Sequence, residues 1–229
     1  MTISGNTSGN TSASTPASTR ESVVVAFDVD GTITRTDCVR PFLERLGGRR
    51  SMVLAVARRP VETVVGGVQR DRDRLKQVLV GGVYRGRQVD EVDETGRAFA
   101  RVVSATMLRA DVIGRLRWHQ GLGHRTVIVS ASMRSYLVPL AESLGIDHVM
   151  YTEVAAADGR YLAHLDGGNC RGDEKAVRLR AWMVAEQLGD ATLWAYGDSS
   201  GDRAMLAAAH HPVWVRGTTV QPVPPEIAS

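Results

Sequence analysis

Apolar positions along the chain fall into short runs and longer periodic stretches that alternate. Residues 22–27, SVVVAF, form a β-branched run that gives way to the acidic, glycine-containing DVDGT, as a buried strand feeding a loop would. Runs of the same kind recur at 126–129 (TVIV), 148–151 (HVMY), 192–196 (TLWAY) and 213–215 (VWV). Helical patterns lie between most of them, at 134–144, 174–188 and 201–209. Strands alternating with helices predict an α/β fold in which a parallel sheet carries helices on both faces.

The interval 36–122 breaks that rhythm. Val89, Val92, Phe99 and Val103 recur at helical spacing, as do Val112, Ile113 and Leu116, while Gly47-Gly48, Gly66-Gly67 and Gly81-Gly82 punctuate the segment. The expectation is an all-helical cap over 36–122, inserted after the first strand, with core segments 21–35 and 123–219 on either side. An Asp158-Gly159 turn between EVAA and RYLAHL predicts a hairpin at the sheet edge. Residues 1–20 hold ten Ser or Thr and no apolar stretch, so they read as a disordered tail and not as a secretory signal. Residues 220–229, VQPVPPEIAS, read as an irregular Pro-rich tail.

Composition narrows the class. With 43% hydrophobic and 23% charged residues, the chain has ample material for a buried core. The longest apolar runs, 23–27 and 52–57, fall well short of the roughly 18 residues that span a bilayer, so no transmembrane segment is expected. Two cysteines, Cys38 and Cys170, are too few for a disulfide scaffold and suit a reducing, cytoplasmic setting. The 28 basic residues include only two lysines, Lys76 and Lys175, and 25 acids nearly balance them, so the charge names no nucleic-acid partner. One local excess, nine Arg against four acids from Arg40 to Arg74, reads either as solvated helix faces or as a basic lid over an anionic substrate or a membrane headgroup. The second reading leaves peripheral membrane contact open. Oligomeric state has no signature in the sequence.

In open α/β sheets ligands sit beyond the carboxyl ends of the strands. Three expected strands end there in Asp28-Val29-Asp30-Gly31-Thr32, in Ser130, and in Gly197-Asp198-Ser199-Ser200-Gly201-Asp202. Side chains two apart on extended backbone point the same way, so Asp28 and Asp30 are expected to face one site together. Four converging carboxylates repel one another unless a hard cation neutralises them, and oxygen ligands with room for water suit Mg²⁺. A carboxylate so held can attack phosphorus and form an aspartyl phosphate. That chemistry also needs an acid for the leaving group, a hydroxyl for phosphoryl oxygens and a fixed cation. Asp30, Ser130 and Lys175 can fill these roles in that order, with Ser132 an alternative hydroxyl in the same loop. Lys175 opens a helix, where the helix dipole disfavours a cation, so helix electrostatics do not explain it.

These motifs resemble the haloacid dehalogenase superfamily, subclass IB, the phosphoserine phosphatase-like group, over roughly residues 22–216. VVVAFDVDGTIT matches its first motif, TVIVSAS its second, Lys175 its third and GDSSGD its fourth. The resemblance implies a Rossmann-like three-layer core with the helical cap, and a Mg²⁺-dependent phosphatase acting on a small phosphorylated substrate. It implies Asp28 as nucleophile and metal ligand, Asp30 as general acid/base and backbone metal ligand, and Asp198 as direct metal ligand. Ser130, Ala131 and Lys175 become the phosphate-binding positions, with Thr32 and Asp202 in support.

A phosphotransferase on the same fold stays open, because only an acceptor pocket and exclusion of water separate the two. Phosphoserine phosphatases of the subclass carry Glu nine residues after the nucleophile to hold the substrate ammonium. This chain has Asp37 there, one methylene shorter, so phosphoserine is possible but disfavoured; TRTDCVRPFLERLGG more resembles the uncharacterised and lipid-phosphatase-like branch, which leaves a phosphatidylglycerophosphate-type phosphatase as an alternative.

Overall fold

The computed structural model describes residues 22–58, 60, 72–215, 217 and 220, so the N-terminal tail, Gly66-Gly67 and all but Val220 of the Pro-rich tail lie outside the described residues. Six strands form one sheet, β1 (Val23–Phe27), β2 (Arg125–Met133), β3 (His148–Ala157), β4 (Arg160–Asp166), β5 (Thr192–Gly197) and β6 (His211–Trp214), in the order β4-β3-β2-β1-β5-β6. All neighbours are parallel except β4, which returns antiparallel to β3 through the expected turn at Asp158 and Gly159, both at positive φ. The sheet is therefore parallel in its core and mixed only at this edge hairpin.

β1 lies at the centre and explains its own unbroken apolar run. Val25 and Phe27 pack into one cluster with Ile128, Tyr136, Leu116 and Tyr196, while Val24 and Ala26 pack into another with Val127, Leu179, Ala195 and Met205. A strand buried on both faces has no polar side to show, and each large side chain so buried contributes about 1.5–3 kcal/mol.

Four described helices fill the interval between β1 and β2: α1 (Val39–Arg58), bent at Gly48, α2 (Arg72–Tyr84), α3 (Val89–Thr106) and α4 (Ala110–Gly121). The insert leaves and rejoins the core through a paired neck, where Thr34 bridges Leu108, Arg35 N–H donates to the Met107 carbonyl and Arg109 N–H to that of Ile33, both at 2.9 Å. Beyond this neck α4 packs on β2 and on the turn after β1. The Gly81-Gly82 pair is not a break but lies inside α2. A Cβ at Gly82 would meet the Ala55 Cβ, and one at Gly81 the Ala163 carbonyl oxygen, each at 2.3 Å, so the pair permits two close approaches. The remaining helices are α5 (Arg134–Leu144), α6 (Asp173–Ala185) and α7 (Arg203–Ala207). Among the described residues no helix is long and apolar enough to cross a membrane. Both cysteines are buried free thiols.

Candidate active site

The site forms where β1, β2 and β5 end side by side. Asp28 N–H donates to the Tyr196 carbonyl at 2.9 Å, which fixes the first residue beyond β1 against the end of β5. The chain then makes one wide turn, Val29–Ile33, closed by Thr34 N–H on the Val29 carbonyl at 2.9 Å, with Asp30 and Gly31 off helical backbone and Val29 and Ile33 buried. Gly31 within it has φ of 87°, and a Cβ there would lie 2.3 Å from Asp198 Oδ2. Only glycine meets both demands.

Asp28, Asp198 and Asp202 each bring a carboxylate oxygen within 4.8 Å of the others. Lys175, buried in the first turn of α6, donates to Asp28 Oδ1 and to Asp202 Oδ1 at 2.5 Å each. Asp202 is fully engaged, because its Oδ2 also accepts from Ser199 N–H at 3.0 Å and Ser199 Oγ at 2.9 Å. Asp198 is different: its Oδ1 is buried and has no hydrogen-bond partner. Burial pushes the Asp28 carboxyl up to about 7, Lys175 opposing the rise and Asp202 and Asp30 adding to it. Burial works against the Lys175 charge as well, yet Asp28 and Asp202 hold the ammonium above its usual range.

Three carboxylates against one ammonium leave an excess of two negative charges, and one buried oxygen lacks a partner. This donor set, oxygen only, fits a hard divalent cation of the Mg²⁺ kind, with Asp28 and Asp198 as the residues able to hold it.

Asp30 also faces the cavity, but its carboxylate is turned away from the other three. Oδ1 accepts from Cys38 N–H at 2.7 Å and Oδ2 from Ser132 Oγ at 2.5 Å, while Ser132 in turn accepts from Tyr136 OH at 2.8 Å. Burial and the nearby Asp37 raise its pKa, and the Ser132 and Cys38 hydrogen bonds oppose that. Convergence is therefore threefold, because the chain turns immediately after Asp28 instead of continuing as a strand. Ser130 is buried and lines the cavity with Ala131; its Oγ accepts from Ser132 N–H at 3.1 Å. Thr32 is fully buried within the turn. Asp37 lines the mouth, where its Oδ2 accepts from Arg40 N–H at 3.0 Å and so caps the start of α1.

Sequence reasoning missed Lys76. From α2 its Nζ donates to the Ala131 carbonyl and, at 2.8 Å, to Asn169 Oδ1, which also accepts from Thr152 Oγ1. A cap side chain thus reaches the end of β2 that carries Ser130. Its rarity was the available signal, since it is one of two lysines in an arginine-rich chain. The whole cavity measures about 940 Å³.

The profile of the haloacid dehalogenase-like hydrolases matches residues 25–207. The chain is 38% identical over 191 residues to the protein CicA of Caulobacter vibrioides, covering 82% of this chain and 84% of that one. It is 27% identical over 197 residues to a probable phosphatase of Mycobacterium tuberculosis, covering 84% and 68%. A solved phospho-aspartyl intermediate analogue of phosphoserine phosphatase superposes with a TM-score of 0.58 over 83% of this chain and 84% of that one; at 16% identity this likeness is one of fold. The chain belongs to the haloacid dehalogenase-like hydrolases, and its four motifs lie at the site just described.

Proposed function

We propose that the protein is a Mg²⁺-dependent phosphatase that hydrolyses a phosphomonoester through a phosphorylated Asp28. The observation that carries this reading is the pairing of two aspartates two residues apart with opposite surroundings. Asp28 sits beside the Lys175 ammonium at 2.5 Å, whereas the Asp30 carboxyl is buried and held by Cys38 N–H and Ser132 Oγ. At Asp28 the Lys175 ammonium opposes the rise that burial causes and so favours an ionised oxygen for attack, whereas at Asp30 burial and Asp37, against the two hydrogen bonds, favour a carboxyl that carries a proton.

In the first step an Asp28 oxygen bonds to phosphorus, the ester P–O bond breaks, and Asp30 gives its proton to the departing alkoxide. In the second, Asp30 takes a proton from water as that water attacks phosphorus, the Asp28–phosphorus bond breaks, and phosphate leaves. Lys175 offsets charge on the phosphoryl oxygens, with Ser130 Oγ and the Ala131 backbone beside it. Asp28 and Asp198 would hold a Mg²⁺, which would supply the charge neutralisation that lets an anionic nucleophile approach an anionic ester.

Phosphate release from p-nitrophenyl phosphate with Mg²⁺ tests the reading. Turnover lost in Asp28→Asn agrees with it; wild-type turnover in that variant refutes it.

A further inference from the structure

Above its acidic floor the cavity changes character. Val39, Leu43, Met52 and Val53 from α1 and Leu75 and Leu79 from α2 line it there. Val39 and Leu43, like Leu75 and Leu79, are four apart on one helix, so each pair presents one continuous apolar stripe. Val53 is 68% exposed, so the wall meets solvent in the free protein.

Several of the charged groups that line the cavity already have partners, while Arg35 and Arg171 line it as well. Arg40 and Arg49, read from sequence as part of a basic lid, share the single Glu44 carboxylate at 3.2 and 3.9 Å, so the trio keeps one positive charge, carried on exposed side chains. Asp37, the position that would hold a substrate ammonium, is bonded to the Arg40 N–H. Lys76 is turned to the Ala131 carbonyl and Asn169. A small zwitterion on the phosphate would leave most of a cavity of about 940 Å³ to water and the apolar wall uncovered.

We propose that the substrate is the phosphomonoester of an alcohol bearing a hydrocarbon chain, its phosphate on the Asp28 floor and its chain along the α1–α2 wall. This rests on the phosphatase reading above and names the substrate class of the same site. Moving a methylene from water onto such a wall strengthens binding about two- to fourfold.

The test is a series of n-alkyl phosphates, ethyl, butyl, hexyl and octyl, assayed below micelle-forming concentrations beside phosphoserine. The expected result is a kcat/KM that rises about two- to fourfold per methylene, more than about fiftyfold from ethyl to octyl. Leu75→Gln and Leu79→Gln should each flatten that slope. A flat or falling series, or phosphoserine turned over faster than octyl phosphate, overturns the inference. Calorimetry on the wild-type protein with Mg²⁺ separates this from the reading beneath it. Octylphosphonate binding at least tenfold tighter than ethylphosphonate supports the wall's role even if no ester is hydrolysed, an outcome that would refute the phosphatase alone. Equal affinities overturn the wall's role even where p-nitrophenyl phosphate is turned over.

Discussion

Lys175 Nζ lies 2.5 Å from Asp28 Oδ1, although the two residues are 147 apart in the chain. The same ammonium reaches Asp202 Oδ1, so one cation ties the end of β1 to the loop after β5. Replacing Lys175 by Met leaves two buried carboxylates without it. The expected outcome is loss of phosphatase turnover and a destabilisation of about 3–5 kcal/mol, read by urea unfolding. Lys175→Arg should not restore activity, because a forked guanidinium does not fit where a point charge bonds two oxygens.

Asp198 and Asp202 should differ. Asp198→Ala removes the partnerless oxygen and should raise the Mg²⁺ concentration for half-maximal activity far more than it lowers the melting temperature. Asp202→Ala removes the acceptor for Lys175 and for Ser199, so stability should fall more. Metal titrations and thermal melts of the two variants, side by side, read this difference.

Gly31→Ala places a methyl 2.3 Å from Asp198 Oδ2 at a φ of 87°. The left-handed backbone costs about 1–2 kcal/mol, and the methyl must displace the carboxylate. We expect a folded protein whose apparent Mg²⁺ affinity is about tenfold weaker or more, measured by activity against metal concentration.

How far the sequence alone carries depends on where each residue's surroundings come from. VVVAF is legible because burial on both faces leaves a run with no polar gap, and Asp158-Gly159 because a tight turn needs those residue types. The three motif aspartates Asp28, Asp198 and Asp202 were legible as a cluster because strand ends of a parallel sheet meet at one edge. The turn of Asp30 toward Ser132 was not, since it depends on the backbone bending at 29–33 and on Tyr136 from α5 supporting Ser132. Gly81-Gly82 misled as a break because a glycine pair that admits close helix packing is identical, in sequence, to one that ends a helix. Lys76 reaches the floor only through the packing of α2, which no local pattern encodes.

His119, on α4, gives a prediction for stability against pH. It is fully buried, its Nε2 lies 2.9 Å from Tyr196 OH and its Nδ1 2.9 Å from His124 Nδ1. Burial first, then His124 and Arg115, lowers its pKa to about 3. The unfolded chain, with an ordinary value near 6.5, therefore binds the extra proton first. The contribution is complete above about pH 6.5 and declines by about 1.4 kcal/mol per unit as the pH falls toward 3. His119→Gln cannot titrate, so the difference between its unfolding free energy and that of the wild type should shrink across that window. A constant difference would contradict the assignment.

The central claim is that Asp28 becomes phosphorylated, and acid quench of the Asp30→Asn variant during turnover of p-nitrophenyl phosphate tests it most directly. That variant keeps the nucleophile but loses the group that activates water, so the phosphoenzyme should accumulate. Peptide mapping by mass spectrometry should find the phosphoryl group on Asp28, sensitive to hydroxylamine and absent from the Asp28→Asn, Asp30→Asn double variant. A phosphoryl group on any other residue, or normal steady-state turnover by Asp28→Asn, would contradict the account.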